Sequence, residues 1–85
     1  MDFSGTLAVG GTTIQPVTGS YDITPDGSSW LGFMLIPKGD PNAMSLMGHT
    51  VELTTNAGQK THLIVEQLEP LSGECQFHGA GPPPG

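Results

Sequence analysis

Residues 49–65 read HTVELTTNAGQKTHLIV and carry the clearest structural pattern in the chain. Apolar and polar residues alternate on both sides of Asn56-Ala57-Gly58, as in two strands that each have one buried and one exposed face. The glycine accepts the positive φ of a tight turn, so the stretch predicts a β-hairpin. A hairpin that closes symmetrically about Ala57 pairs residues whose numbers sum to 114. The predicted pairs are Val51 with Leu63 and His49 with Val65 on the apolar face, and Glu52 with His62 and Thr54 with Lys60 on the other.

The period of two extends outward from this hairpin along most of the chain. Among the turns that interrupt it, Thr24-Pro25-Asp26-Gly27 has the strongest signal, because proline presets the bend and glycine accepts positive φ. Residues 30–36, WLGFMLI, are apolar on both faces and predict the most buried, central strand. The pattern predicts an all-β fold: a small six- to seven-stranded antiparallel barrel, SH3-like or OB-like, or a compact sandwich. The seventh strand arises only if Pro16 splits one of the six.

One stretch departs from the strand pattern and predicts a short helix near residues 41–47. Asp40 can accept hydrogen bonds from the free N–H groups of the first turn, and Pro41 suits the first helical position. Gly48 can adopt the left-handed conformation that ends a helix. We expect Met44, Leu46 or Met47 to close one end of the barrel.

The length of 85 residues indicates a single domain. We expect residues 1–79 to form the β domain and residues 80–85, AGPPPG, to form a disordered tail. A proline run favours the polyproline II conformation and can dock in an aromatic groove, but a solvated tail is the simpler interpretation.

The charge of the chain argues against two classes of partner. Eight Asp and Glu residues stand against two Lys and no Arg, for a formal net charge of -6. Nucleic acids and anionic membranes are bound by clustered Lys and Arg, so we expect neither partner. Cys75 is the single cysteine, which excludes an intrachain disulfide, and the sequence has no apparent signal peptide or transmembrane segment. By default we expect a cytoplasmic location.

No motif indicates catalysis or metal binding. The three histidines lack metal-ligand spacing, and the hairpin register sends His49 and His62 to opposite faces. Cys75 and His78 are three positions apart on a predicted strand, so their side chains point to opposite faces and cannot pair. We therefore predict no catalytic residue, no metal site, no cofactor and no enzymatic activity. The glycine-rich turns lack the helix and basic residue that hold phosphate.

The candidate binding residues are two aromatic residues, Trp30 and Tyr21, and two methionines, Met44 and Met47. Aromatic residues in small barrels are usually core, but Trp30 follows Ser28-Ser29 and could lie near the rim as a binding platform. Methionine adapts to irregular contact surfaces.

The leading hypothesis is a non-enzymatic β-barrel module that acts through contact with a protein partner or through self-association. An open strand edge and the loop bearing Met44 and Met47 would supply its interface. The alternative is a barrel that binds a small molecule or carbohydrate with Trp30 and Tyr21. A third hypothesis, a small hydrolase or metal-dependent enzyme, would use Cys75 or the histidines His49, His62 and His78.

Overall fold

The chain folds into a closed antiparallel β-barrel, seen in a computed structural model that describes residues 1–84. This confirms the predicted small all-β barrel and sets the sandwich alternative aside. The predicted helix is a single 3₁₀ turn, and Leu46 within it is the residue that is buried against the barrel. The elements are β1 (Asp2–Val9), β2 (Thr12–Ile23), β3 (Trp30–Leu35), the 3₁₀ helix (Ala43–Leu46), β4 (Thr50–Thr55), β5 (Lys60–Glu69) and β6 (Glu74–Gly79).

The strand order around the barrel is β1-β2-β3-β6-β5-β4, and β4 pairs again with β1. Strands β1 to β3 form a meander, and the segment containing the 3₁₀ helix then carries the chain across to β4 beside β1. This is the 4-1-2-3 arrangement of a Greek key. Within residues 1–84 every strand has two paired neighbours, so no strand is an edge strand of an open sheet. The pairing of β2 with β3 covers only Thr18 to Ile23, and the first half of β2 extends beyond it.

The β4–β5 hairpin has the predicted register. Its five paired positions all sum to 114, from Thr50 opposite Ile64 to Thr54 opposite Lys60. Val51, Leu53 and Leu63 are fully buried on the inner face, which is why this register is fixed: a slip by one residue would turn them all to solvent. His49 precedes β4, is exposed and does not pair with Val65, which forms a bridge to Met47 instead.

Strand β2 continues through Pro16 rather than splitting there. Val17 pairs with Gly5 and Ile14 pairs with Leu7, so Gln15 and Pro16 together face one residue of β1. Such a bulge tolerates proline because the extra residue has no hydrogen bond to lose. The barrel therefore has six strands.

The Thr24–Gly27 turn forms as predicted between β2 and β3. Gly27 has a φ of 74°, and its N–H donates to the carbonyl of Thr24 at 2.8 Å. The Asp26 carboxylate accepts hydrogen bonds from the Thr24 hydroxyl and from the backbone and hydroxyl of Ser28, which lower the pKa of Asp26 to about 2.

Buried side chains pack inside the barrel toward both of its ends. Around the 3₁₀ helix, Ala43 and Leu46 are buried. Toward the opposite end, four aromatic rings pack edge to face or tilted, with centroids 5.5–6.2 Å apart. These rings belong to Phe3, Tyr21, Trp30 and Phe77.

Residues 80–84, which the sequence predicts as part of a disordered tail, have defined contacts in the structure. They leave β6 at Gly79 and cross the end of the barrel where β3 begins. Leu31 near the start of β3 pairs with His78 near the end of β6, which places the end of β6 at this end of the barrel. The Ala80 N–H donates to the carbonyl of His62 at 2.9 Å, and Pro84 is buried. Gly85, also assigned to the tail, lies outside the described residues.

Candidate functional site

The outer face of β3 carries a row of large apolar side chains, which we call the β3 stripe: Leu31, Phe33 and Leu35. Their exposed fractions are 50%, 63% and 50%. The sequence predicts burial on both faces of this strand, and that is wrong for the outer face. In a single-layered barrel only one face of a strand meets the core, so Trp30 and Met34 point inward and the alternate residues meet solvent.

Polar side chains flank the β3 stripe on both neighbouring strands. Phe33 lies opposite Ser20 on β2 and opposite Gln76 on β6. Leu35 lies between Thr18 and Glu74 in the same way. An apolar strip bordered by polar residues is the usual composition of a protein-contact surface, with an apolar centre and a polar rim.

Phe33 forms a ridge between two surface grooves. The first groove, of about 630 Å³, lies over β1 and β2 and is lined by Phe3, Thr18 and Leu35 among others. The second, of about 420 Å³, lies over β5 and β6. We call it the acidic groove, because Glu66, Glu69 and Glu74 line it and no Lys or Arg is among its described lining residues. An exposed aromatic ring between two grooves has the shape of an interface anchor.

Glu66 of the acidic groove makes the one histidine–carboxylate contact found among the described residues, with His78. Nδ1 of His78 lies within hydrogen-bonding distance of Oε1 of Glu66, and both side chains are substantially exposed. Such an exposed pair contributes little to stability. It gives Glu66, one of the three glutamates of the groove, a hydrogen-bond partner. Glu69 and Glu74 lie opposite each other on β5 and β6. The groove therefore concentrates negative charge beside the β3 stripe.

The structure separates the four binding residues predicted from the sequence. Met47 lines the acidic groove together with Phe33. Met44 is exposed on the 3₁₀ helix and does not line either of the two grooves. Trp30 and Tyr21 are core residues, 1% and 5% exposed, at the aromatic end of the barrel. Their rings are covered by the core and by residues 81–84, so they do not form an open platform for a sugar.

Cys75 is buried, and desolvation raises the pKa of its thiol to about 11. A thiol with this pKa stays protonated at neutral pH and is a poor nucleophile. His49 and His62 are exposed on separate elements. Among residues 1–84 no group of three His, Cys, Asp or Glu is placed to hold a metal ion. The geometry around these residues therefore offers no support for the hydrolase or metal-enzyme hypothesis.

Leu31, Phe33 and Leu35 are exposed apolar residues that the sequence analysis does not include among the candidate binding residues. The signal was present: WLGFML is apolar at consecutive positions in a chain of 85 residues, which is too short to cover both faces of a strand. A run of that kind in so small a barrel indicates one buried face and one exposed apolar face.

Two further findings concern membrane-spanning helices and similarity to known proteins. Within residues 1–84 no helix has the length and apolar character needed to cross a membrane. No family model, no curated protein and no solved structure matches the chain.

Proposed function

We propose that this chain is a non-enzymatic interaction module that binds a partner protein through the β3 stripe and the acidic groove. The β3 stripe is the observation that carries the proposal. Single exposed apolar residues are common on soluble proteins, but three in a row on one strand, with an aromatic ring at the centre, are typical of contact surfaces. The cytoplasmic location, which the sequence suggests by default, stays an expectation.

Charge favours a basic partner over a second copy of the chain. A two-fold symmetric dimer would place the same surface on both sides of the interface. Glu66, Glu69 and Glu74 of both copies would then lie in one interface, between chains that each have a net charge of -6. A partner that presents an apolar centre with Lys or Arg at its rim would complement both features.

The mode of binding is contact between side chains rather than addition of a strand. Strand β3 is paired with β2 and with β6 along nearly its whole length, so the β3 stripe offers side chains and no free backbone edge to a peptide. Phe33 is the central anchor, and Met47 borders it across the acidic groove. Replacing Phe33 should therefore weaken binding far more than replacing a residue at the rim.

The test replaces Phe33 in the full chain with the photo-crosslinking residue p-benzoyl-phenylalanine in its native cells. Leu71 is the control, because it is 86% exposed in the β5–β6 turn and lines neither of the two grooves. We expect a covalent adduct with one protein from position 33 and not from position 71. The crosslinked region of that protein should contain apolar residues flanked by Lys or Arg.

The partner identified in this way then permits a binding measurement by calorimetry. F33S should lower its affinity by a factor of about 30, the effect of a hot spot worth about 2 kcal/mol, and L71S should leave it unchanged. Affinity should fall with added salt. Adducts only with a second copy, a concentration-dependent dimer abolished by F33S, or equal adducts at positions 33 and 71 would contradict the proposal.

A further inference from the structure

The C-terminal segment 81–84, here called the strap, is held across the aromatic end of the barrel by three side-chain donors. The Trp30 indole N–H donates to the carbonyl of Gly81 at 2.8 Å. The Thr61 hydroxyl donates to the carbonyl of Pro82, and the Tyr21 hydroxyl to the carbonyl of Pro84. These donors come from three different strands, β2, β3 and β5, and they converge on one short stretch of backbone.

This arrangement has the chemistry of proline-rich peptide recognition. Proline lacks an N–H, so a proline-rich segment presents carbonyl acceptors and apolar rings to its receptor. Receptors for such segments combine aromatic walls with hydrogen-bond donors. The barrel end supplies the indole and phenol of Trp30 and Tyr21, packed 5.5 Å apart, and the hydroxyl of Thr61. Its three donors and the strap itself are uncharged.

Gly79 allows the backbone that leads into the strap to pass close to the indole of Trp30. A Cβ at this position would lie 2.0 Å from Nε1 of Trp30, so only glycine lets the backbone pass beside the indole. Without an occupant at this end of the barrel, three donors at a largely apolar surface would lose their acceptors.

We infer that this barrel end is a binding site for an uncharged, proline-rich segment of a partner protein, and that the strap is its resident occupant in the free chain. The site is separate from the β3 stripe and extends the chain's function beyond the proposed one. An identical strap from a second copy is at a disadvantage, because the tethered strap makes the same contacts at a much higher effective concentration. A longer partner segment gains further contacts beside Pro84, where Ser4, Asn56 and Gln59 line a groove of about 460 Å³.

The experiment releases the strap from the barrel end in the full-length chain with the substitution Pro84→Asp. Pro84 is buried, so a carboxylate there opposes docking; Pro83 is exposed, and Pro83→Asp adds the same charge without that penalty. The probe is the acetylated and amidated peptide GAGPPPG. The readout is the indole N–H signal in a ¹⁵N NMR spectrum, which belongs to Trp30 because the chain has one tryptophan.

We expect P84D to shift the indole signal and the peptide to return it to the wild-type position. P84D should bind the peptide at least about tenfold more tightly than P83D or the wild type. In those two chains the strap occupies the site more than about nine-tenths of the time, which weakens the apparent affinity for the peptide at least about tenfold. A second peptide with its three prolines replaced by alanine should bind P84D more weakly.

Equal peptide binding by P84D and P83D, or an indole signal in P84D that the peptide does not move, would overturn the inference. A wild-type chain that dimerises by exchanging straps would also overturn it, because the occupant would then be a second copy. If P84D does not fold, the uncharged variant P82G/P83G/P84G takes its place. Its glycines make the undocked strap more flexible, which disfavours docking, and the indole signal and the peptide affinity are measured in the same way.

Discussion

Cys75 shows how burial alone sets the chemistry of a residue. Its thiol is 1% exposed on β6, and desolvation raises its pKa from 9.0 to about 11. In the unfolded chain the thiol ionises near pH 9.0, while in the folded chain it keeps its proton until about pH 11. The folded state therefore binds more protons between these values. The stability contribution of the thiol is complete below pH 9 and is lost as pH rises toward 11.

The prediction is that C75A flattens the loss of stability in this range. Urea unfolding at pH 8 and at pH 10.5 should give a larger fall in the free energy of unfolding for the wild type than for C75A. Comparing the two chains cancels the lysine and tyrosine titrations that they share. Parallel pH profiles for the two chains would show that the thiol is not buried in this way. The folded wild type should also react slowly with an aromatic disulfide reagent at pH 8.

At the level of elements, β3 depends on a glycine where it packs closely against β2. A Cβ on Gly32 would lie 2.0 Å from the carbonyl oxygen of Ser20, a backbone atom that cannot move without distorting β2. G32A should therefore lower the free energy of unfolding by about 1–3 kcal/mol, the usual cost of overpacking. The adjacent L31A, at a half-exposed position, should change it by less than about 0.5 kcal/mol. Chemical denaturation of both variants tests this, and equal stabilities would contradict it.

Strands differ in how far their sequences determine their environment. The β4–β5 register could be predicted because the turn and both strand faces lie within one short stretch. The exposure of the outer face of β3 does not follow from the local pattern, because that pattern does not state how many layers will cover a strand; only the short length of the chain signals it. The strap was missed for a related reason: its hydrogen bonds join residues 21 to 63 positions apart, and no local pattern reports them.

At the scale of the whole molecule, the seam between β1 and β4 decides whether the sheet is a barrel. It consists of four paired positions, from Gly5 opposite Thr55 to Ala8 opposite Glu52. The two strands are more than 40 positions apart in the chain, so closure is a property of the assembled fold. Under the proposed function, closure leaves the side chains of the β3 stripe, rather than an edge strand, to make contacts.

Closure predicts the pattern of amide hydrogen exchange. In the closed barrel the seam amides of β1 and β4 are hydrogen-bonded, so they should be protected to nearly the same extent as amides between β2 and β3. In an open sheet these two strands would be edges, and their outward amides would exchange as in an unfolded chain. NMR-detected exchange distinguishes the two cases directly.

A variant at the seam makes the same test more specific. A Cβ on Gly5 would lie 2.0 Å from the carbonyl oxygen of Thr54, so G5V should force β1 and β4 apart. Protection should then fall first at the seam amides of residues 5–8 and 52–55, with the β2–β3 amides losing less. If the wild type already exchanges rapidly at the seam, or if G5V lowers protection evenly in all strands, the seam does not act as a separate closure. An opened seam would also expose strand edges and favour aggregation, which light scattering on G5V would detect.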